Sequence, residues 1–278
     1  PFGVPPFEQI HASHYKPALL KGMEEQMAEI QAIINNQEEA NFENTIAALD
    51  RSGALLTKVL YAFSGQSSVN TNDTIQALEQ ELYPLLSKHS DDINMNPELF
   101  ARVKAVYDNR EQLNLDKEQA KLLVNTYKGF IRSGSGLDAE KQEQLRKLNE
   151  QIATLQLTFG QNLLKETNAF KLVVDKKEDL AGLPEGLVAV AAATAKEEGM
   201  DGKWVFTLHN PSVMPFLQYA DNRSLREQIF KAYINRGNNG NANDNKEVIK
   251  KLVAVRLEKA KLLGYEDYAA YVLEENMA

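Results

Sequence analysis

The chain has 278 residues, 43% hydrophobic and 25% charged, and is long and apolar enough for one large globular domain or two smaller ones. Its formal net charge of −8 argues against a nucleic-acid-binding protein, and no apolar run is long enough to cross a membrane. Because the chain has no cysteine, disulfides, thiolate metal sites and cysteine nucleophiles are excluded.

The first 168 residues predict a series of amphipathic helices. Three prolines among the first fifteen residues predict an extended lead-in that packs Phe2, Phe7 and Ile10 on the body, and Pro17 suits the first turn of a helix. Asp116 predicts a helix start as its cap, with Gln119 completing a capping box. Apolar residues at helical spacing predict helices over about 17–33, 41–60, 71–88, 97–110, from 117 onward, and 138–163.

The remaining residues predict a small β-hairpin among further helices. Segments 170–174 and 204–208 are rich in β-branched or aromatic residues and predict two strands that pair, with a helix over 183–198 between them. Residues 237–244 form a loop that is too polar and glycine-rich to pack. The predicted fold class is all-α: a multi-helix stack with one small two-stranded β-hairpin.

Domain organisation follows from this succession of elements. We expect residues 1–278 to form one helical domain with a soft internal boundary near residue 168, which separates a helical bundle (1–168) from the hairpin and later helices (169–278). The last helical run has no glycine, proline or basic last turn to end it. We therefore expect the native chain to continue beyond Ala278, the alternative being a frayed natural terminus.

Five segments spread along the chain carry a family resemblance. They are PPFEQIHASHYKPAL (5–19), FENTIAALDRSG (42–53), GLDAEKQEQLRKLNEQIATLQLTFGQNL (136–163), NPSVMPFLQYADNRSLREQIFKAYINR (210–236) and RLEKAKLLGYEDYAAYVLEENMA (256–278). In this order they resemble the thimet-oligopeptidase family of zinc metallopeptidases, in its peptidyl-dipeptidase and oligopeptidase branch. The segment 210–236 is the most specific of the five.

The resemblance implies a mostly helical enzyme, built as two halves around a deep channel, that cleaves short peptides. It also implies a zinc ion held by the two histidines of an H-E-x-x-H motif and by a later glutamate, with the motif's glutamate as general base. That motif occurs nowhere in the 278 residues, so no catalytic or metal-binding residue is assigned. We expect an N-terminal channel-wall region of such a metallopeptidase, inactive alone, with the catalytic domain absent and zinc held only in the full-length enzyme.

The expected partners are short peptide substrates, reached through the full-length protein, and the missing C-terminal catalytic region. Neither nucleic acid nor a membrane is expected. Because no targeting segment is visible, we expect a cytoplasmic protein. A location in the cell envelope is the alternative, since removal of a leader would leave the same sequence. The alternative function is a self-sufficient helical binding or scaffold protein that is related to the peptidases only in fold.

One helix carries the candidate substrate-binding residues. On a helix that begins near Asn222, Arg223, Arg226, Phe230 and Tyr233 project to one side. An arginine in an apolar stripe must be paired or solvated, because a lone buried charge is costly. Arg226 and Tyr233 are therefore candidates for gripping a peptide's C-terminal carboxylate. We favour the structural interpretation, in which Arg226 forms an ion pair with a carboxylate of a neighbouring helix.

The chain has four histidines. His11 and His14 are three residues apart, which suits a metal site if an acidic partner joins them; we favour surface or capping roles. His89 lies near a helix end, where an imidazolium suits the helix dipole. His209 closes the second strand, and we expect it to be structural, partly buried and hydrogen-bonded.

Overall fold

The computed structural model describes residues 3–276 and confirms the all-α fold class with one small sheet. The α-helices are α1 (Ala12–Ile34), α2 (Ala48–Arg51), α3 (Ala54–Val69), α4 (Asp73–Asn94), α5 (Pro97–Asp108), α6 (Lys117–Arg132), α7 (Ala139–Ala169), α8 (Glu185–Glu197), α9 (Asn210–Tyr219), α10 (Arg223–Ile234), α11 (Lys246–Leu262) and α12 (Tyr268–Leu273). The strands are β1 (Leu172–Val174) and β2 (Trp204–Phe206). Phe2, which we expected to pack on the body, lies outside the described residues.

Side-chain caps fix many of the helix starts. The predicted capping box of α6 is confirmed: the Asp116 carboxylate accepts the Gln119 backbone N–H, and the Gln119 side chain accepts the Asp116 N–H. Each such cap stabilises a helix by about 1 kcal/mol. Other helices also begin with a side chain that accepts a backbone N–H three residues on, among them those capped by Asn72, Asn96, Asp138, Asn222 and Asp267.

The helix predicted over 41–60 is divided, so that prediction was wrong in its continuity. A π-helical turn, Phe42–Ala47, leads into α2, which ends at Arg51, and α3 begins only at Ala54. Gly53 lies between them with φ of +73°, a left-handed conformation that glycine adopts without a steric penalty. A Cβ at Gly53 would also lie 2.4 Å from the Gln26 amide nitrogen. The break therefore depends on a glycine and on a side chain from α1.

The first helix begins earlier than predicted. Residues Phe7–Gln9 form a short 3₁₀ turn, and α1 starts at Ala12, so Pro17 lies inside the helix and not in its first turn. The start is fixed at His11, whose backbone is extended and whose N–H donates to His14 Nδ1 at 3.2 Å. The other predicted helices were correct in kind but differ at their ends; α4, for example, continues to residue 94 and not 88.

Contacts divide the chain into two compact units, residues 1–154 with 254–278, and residues 155–253. The expectation of one domain with an internal boundary near residue 168 stays a prediction. The first unit contains two clusters of buried side chains, and α1 contributes to both. One cluster includes Ile30, Leu99, Val103 and Leu123. The other includes Tyr15, Leu19, Phe63 and Leu82.

The second unit is built around the sheet. β1 and β2 are antiparallel, with Leu172 opposite Phe206 and Val174 opposite Trp204. Each strand is shorter than predicted, and α8 lies between them in sequence, so no tight turn joins them. Two such short strands are marginal alone. Here they are stabilised by a buried cluster shared with α8, α9 and α10, which includes Leu172, Ala191, Phe206, Phe216 and Ile229.

Candidate functional site

Arg226, the first candidate, lies on α10 beside the end of α9. Its guanidinium donates to the carbonyl oxygen of Ala220 and, at 3.1 Å, to that of Asp221. Ala220 follows α9 directly with a non-helical backbone, and Asp221 lies beyond it, so neither carbonyl oxygen has a partner within a helix and both can accept from a cation. Within residues 3–276, these carbonyls take the place of the carboxylate that we expected as partner. The short connection from α9 to α10 explains this, because it brings the guanidinium against the preceding helix end.

Tyr233, the second candidate, contacts the opposite end of α9. Its hydroxyl donates to the Asn210 side-chain oxygen at 3.3 Å, and the Arg236 guanidinium lies 3.9 Å from the centre of its ring. Arg236 also donates to Thr167 Oγ1 at 3.0 Å. The ends of a ten-residue helix are about 15 Å apart. The structure therefore does not bring Arg226 and Tyr233 to a single partner.

The loop 237–244 is largely exposed, in keeping with its polar composition, and is anchored by Glu166, a contact that the composition did not predict. The Glu166 carboxylate accepts hydrogen bonds from the side-chain amides of Asn239 and, at 2.5 Å, Asn241. The hydrogen bonds from these amides, chiefly that of Asn241, hold the pKa of Glu166 below its ordinary value. The composition of the loop gave no sign of this anchor, because Glu166 lies on α7, more than seventy residues earlier.

Two residues at the end of this loop complete its attachment to the second unit. Asn245 is 2% exposed; its amide nitrogen donates to the Phe159 carbonyl at 3.1 Å, and its amide oxygen accepts from Asn162 at 3.0 Å. Asp244 accepts hydrogen bonds from the Lys246 ammonium, the Lys246 N–H and the Gly240 N–H, which lower its pKa to about 2. The loop is thus fixed by polar contacts in place of apolar ones.

In the first unit, Arg132 lies against two adjacent tyrosine rings that sequence reasoning did not single out. Its guanidinium carbon is 4.2 Å from the centre of the Tyr271 ring and 5.7 Å from that of Tyr265. It donates to the Tyr271 carbonyl at 2.7 Å, to the Tyr265 hydroxyl at 3.1 Å and to the Glu274 carboxylate. These contacts use the planar fork and the aromatic stacking that distinguish arginine from lysine. They tie α6 to the segment around α12.

A buried acid and a buried base in the first unit share one amide. Asn149 donates to Asp91 Oδ1 at 2.8 Å and accepts from Lys259 Nζ at 2.8 Å. Burial raises the pKa of Asp91 and lowers that of Lys259, so both shifts favour the neutral forms. Sequence reasoning missed this group. The available signal was that Lys259 lies in phase with the apolar stripe of Leu252 and Val255 on α11.

His11 and His14 are exposed and lie at the start of α1. Their ring centres are 5.2 Å apart, and His14 Nδ1 accepts the His11 N–H, so His14 contributes to the cap of the helix. This geometry fits the capping role that we favoured. Among residues 3–276, no group of three or more histidine, aspartate or glutamate side chains is arranged to hold a metal ion.

The other two histidines differ in part from expectation. His89 is half-buried, with Nε2 2.7 Å from the Gln26 side-chain oxygen, and burial lowers its pKa. Because α4 continues to Asn94, His89 lies inside the helix and not at its end, and the direction of the pKa shift is opposite to that of an imidazolium favoured by the helix dipole. His209 is exposed, not partly buried, and is hydrogen-bonded as expected, to Thr207 and Asn168 at 3.0 Å each.

Comparison with known proteins identifies peptidase relatives. The sequence model of Peptidase family M3 matches residues 216–278. The chain is 39% identical to a dipeptidyl carboxypeptidase of Escherichia coli (strain K12) over 278 residues, which are 100% of this chain and 41% of that protein. It is 31% identical to an oligopeptidase A of Haemophilus influenzae over 280 residues, 99% of this chain and 41% of that protein. It is 30% identical to an organellar oligopeptidase A of Arabidopsis thaliana, covering 100% of this chain and 36% of that protein.

The chain thus spans about two fifths of the length of the curated relatives it matches. The family match includes α10, α11 and α12, and therefore Arg226, Tyr233 and Lys259. No helix in the described part of the chain has the length and apolar character needed to span a membrane. The resemblance expected from the sequence is confirmed: the chain is similar along its whole length to dipeptidyl carboxypeptidases and oligopeptidases, and residues 216–278 match the model of Peptidase family M3.

Proposed function

We propose that this chain forms part of the channel wall of a zinc-dependent metallopeptidase that cleaves short peptides, of the peptidyl-dipeptidase or oligopeptidase type. The observation that carries the proposal is similarity along the whole chain to a dipeptidyl carboxypeptidase and to oligopeptidases, of which the chain spans about two fifths. The chain itself contains no H-E-x-x-H motif. We therefore assign zinc binding and peptide hydrolysis to the remaining part of such a peptidase.

In this proposal the chain has a structural role in the peptidase, as a wall of the channel, and takes no part in the chemical reaction. A rigid helical wall narrows the channel entrance and restricts substrates to short, unstructured peptides, which reach the catalytic region as its substrates. The catalytic region is then the main partner of the chain, and we place the protein in the cytoplasm. Rigidity is supported by the satisfied polar networks of both units, since a hydrogen bond made in a protein interior is stronger than one made in water.

We further propose that Arg226 and Tyr233 are structural and do not bind substrate. Arg226 already donates to two carbonyl oxygens at the end of α9, and Tyr233 to Asn210 at its start. Both carbonyls accept from Nη1, which holds the guanidinium beside α9 and leaves a peptide carboxylate only the Nε and Nη2 hydrogens. A carboxylate that also took Nη1 would leave the buried Ala220 carbonyl without its partner, at a cost of about 1–3 kcal/mol, whereas the exposed Asp221 carbonyl is open to water.

The proposed division of roles is tested by comparing two proteins. The 278-residue chain is purified from a host that lacks its own dipeptidyl carboxypeptidase, and is assayed for zinc content and for hydrolysis of a short fluorogenic peptide. We expect less than stoichiometric zinc and no hydrolysis. A chimera, in which this chain replaces the aligned region of the Escherichia coli enzyme, is expected to bind zinc and cleave the same peptide. Hydrolysis by the chain alone that a chelator abolishes would contradict the proposal.

The mass of the native protein in its source cell separates the proposal from the scaffold alternative. A protein more than twice as long as this chain, with H-E-x-x-H in the added part, is the expected result. A native protein of about 278 residues would favour a helical binding or scaffold protein.

A further inference from the structure

A cavity of about 510 Å³ opens on the first unit between α1, α4 and α6. Its floor is formed by buried apolar side chains, among them Leu56, Ile93 and Phe130. Polar side chains that retain some exposure surround this floor, among them Asp50 and His89. This volume lies within the range of ~300–1,000 Å³ that is usual for ligand sites, which likewise combine apolar walls with a few polar groups.

Hydrogen bonds fix the tautomer of His89. Ser52 Oγ donates to the Leu49 carbonyl at 2.8 Å, so its oxygen is left to accept from the Gln26 amide nitrogen at 3.4 Å. This orients the Gln26 amide oxygen towards His89 Nε2, at 2.7 Å. Because that oxygen can only accept, Nε2 carries the proton of the neutral ring, and Nδ1 is an acceptor. Nδ1 has no hydrogen-bond partner among residues 3–276.

Asp50 adds a negative charge to the same cavity. It lies in the first turn of α2 and is exposed, and its carboxylate has no ion-pair or hydrogen-bond partner in the described part of the chain. No lysine or arginine is among the described residues that line the cavity. His89 Nδ1 and the Asp50 carboxylate are both acceptors, and the other polar side chains that line the cavity are uncharged, namely Gln26, Ser52, Ser90, Asn94 and Thr126. A ligand that complements the cavity therefore supplies donors and a positive charge at one end, and an apolar body at the other.

We propose that this cavity binds a small primary amine, with its ammonium group at Asp50 and His89 and its apolar body on the floor. An ammonium group has three donors and no acceptor, which matches the groups present. A carboxylate ligand would be repelled by Asp50, and an uncharged one would leave its charge uncompensated. A free arylalkylamine and the N-terminal residue of a peptide share this chemistry. The proposal does not depend on the peptidase assignment.

The experiment follows the histidine ring signals of the 278-residue chain by NMR, which is practical because the chain has only four histidines. The probes are 2-phenylethylamine, 3-phenylpropionate and 2-phenylethanol, and phenylalaninamide tests the peptide-like source. His89→Gln serves to assign the His89 signals. We expect 2-phenylethylamine to shift these signals with a dissociation constant in the millimolar range. The acid and the alcohol are expected to bind at least about tenfold more weakly.

Two variants test the assignment of groups. Asp50→Asn is expected to weaken amine binding about tenfold, the factor that corresponds to the loss of one charged hydrogen bond. Asp73→Asn, which removes an exposed first-turn acid from α4, is the matched control and should leave binding unchanged. Gly129→Leu fills the cavity from α6, because no heavy atom lies within 4 Å of a Cβ built at Gly129. We expect it to abolish binding while the chain stays folded.

Several results would overturn the proposal. Equal binding of the alcohol or the acid would remove the role of the ammonium group. Unchanged amine affinity in folded Asp50→Asn or folded Gly129→Leu would place the ligand elsewhere, as would amine-induced shifts confined to another histidine. The absence of any shift at amine concentrations well above the expected constant would show that the cavity does not bind amines. Binding of phenylalaninamide but not 2-phenylethylamine would support the peptide-like source of the same ammonium chemistry.

Discussion

Gly22 and Gly65 are both helical glycines, and the structure predicts opposite effects when each is replaced by alanine. Gly22 lies on α1 at its contact with α3, where a Cβ would be 2.7 Å from the Leu56 Cα and 2.9 Å from the Leu56 backbone nitrogen. Gly65 lies on α3, and no heavy atom is within 4 Å of a Cβ built there. One position tests the close approach of two helices, and the other serves as its control.

The magnitudes follow from two competing effects. Alanine is more favourable than glycine in a helix interior by about 0.8–1 kcal/mol, and Gly65→Ala should gain this amount. At Gly22 the new methyl group would sit well inside the ~3.5–4.0 Å separation at which carbon atoms attract each other. Since the obstructing atoms belong to the backbone of α3, the helices must move apart, and overpacking of this kind costs about 1–3 kcal/mol. Because the propensity gain applies at both helical positions, it cancels in the comparison, and we expect Gly22→Ala to be about 1–3 kcal/mol less stable than Gly65→Ala.

Urea unfolding of both variants, followed by far-UV circular dichroism, measures this difference. Hydrogen exchange of the α1 and α3 amides locates it, whereas fluorescence of Trp204, the single tryptophan, reports on the second unit. If Gly22→Ala were as stable as Gly65→Ala, the close approach of α1 and α3 at Leu56 would be wrong. Loss of amide protection in the second unit alone would also contradict the reasoning.

Three further predictions concern polar groups. Arg226→Ala should lower the free energy of unfolding by about 1–2 kcal/mol, because two carbonyl oxygens lose a charged, partly buried donor. Thermal unfolding measures this difference, and Arg223→Ala on the same helix is the control. A selective loss of peptide affinity at unchanged stability in the longer peptidase would instead favour substrate binding. The pKa of Asp244, about 2, lies below the unfolded value of about 3.9, so its stabilising contribution is present above the unfolded value and lost as the pH falls towards 2. NMR signals of the amides in the loop 237–244 should change as this stabilisation is lost. Glu166→Gln should reduce the dependence of these signals on acid, because the pKa of Glu166 is also lowered. Loop signals that stay unchanged at low pH would argue against the anchoring of the loop by these carboxylates. Burial raises the pKa of Asp91, so the folded state holds this proton more tightly than the unfolded chain, and the Asp91 contribution to stability increases as the pH falls through the raised value. Urea titrations across pH should show that Asp91→Asn removes this component, and an identical pH dependence in both proteins would refute it.

The local part of the fold was predictable because its causes lie close together in sequence. Asp116 and Gln119 are three residues apart, so their capping box is visible in the sequence and appears in the structure. The break between α2 and α3 was not predictable in this way. It requires Gly53 in a left-handed conformation, and the amide of Gln26, from another helix, occupies the space that a side chain at position 53 would need. A periodicity argument carries the helix through this point, because neither fact alters the apolar spacing.

For the candidate site on α10, the sequence predicted only that Arg226 needs a hydrogen-bonding or ionic partner. The sequence indicates that Arg226 requires a counterpart, but the carbonyl oxygens at the end of α9 become candidates only when the connection between the helices is known. The anchor of the loop 237–244 was missed for a similar reason. Asparagine-rich segments are expected to be solvated, and Glu166, which orders this one, belongs to a distant helix. Polar contacts of this kind leave no periodic signal.

Polar side chains that are hydrogen-bonded within the protein suit a channel wall, whereas polar side chains without a partner in the protein suit a binding site. Arg132 and Glu166 have their hydrogen bonds directed at several groups of their own unit, and Nη1 of Arg226 is bonded to two carbonyl oxygens, so these contacts hold the side chains within the protein. Such networks rigidify a scaffold, which is what a channel wall requires. His89 Nδ1 and Asp50 differ, because they line an open cavity and have no hydrogen-bond partner among the described residues. A polar group without a protein partner exchanges only water for a ligand, so binding there breaks no hydrogen bond within the protein. Ligand binding by the chain itself should therefore be tested first at this cavity and only then at α10.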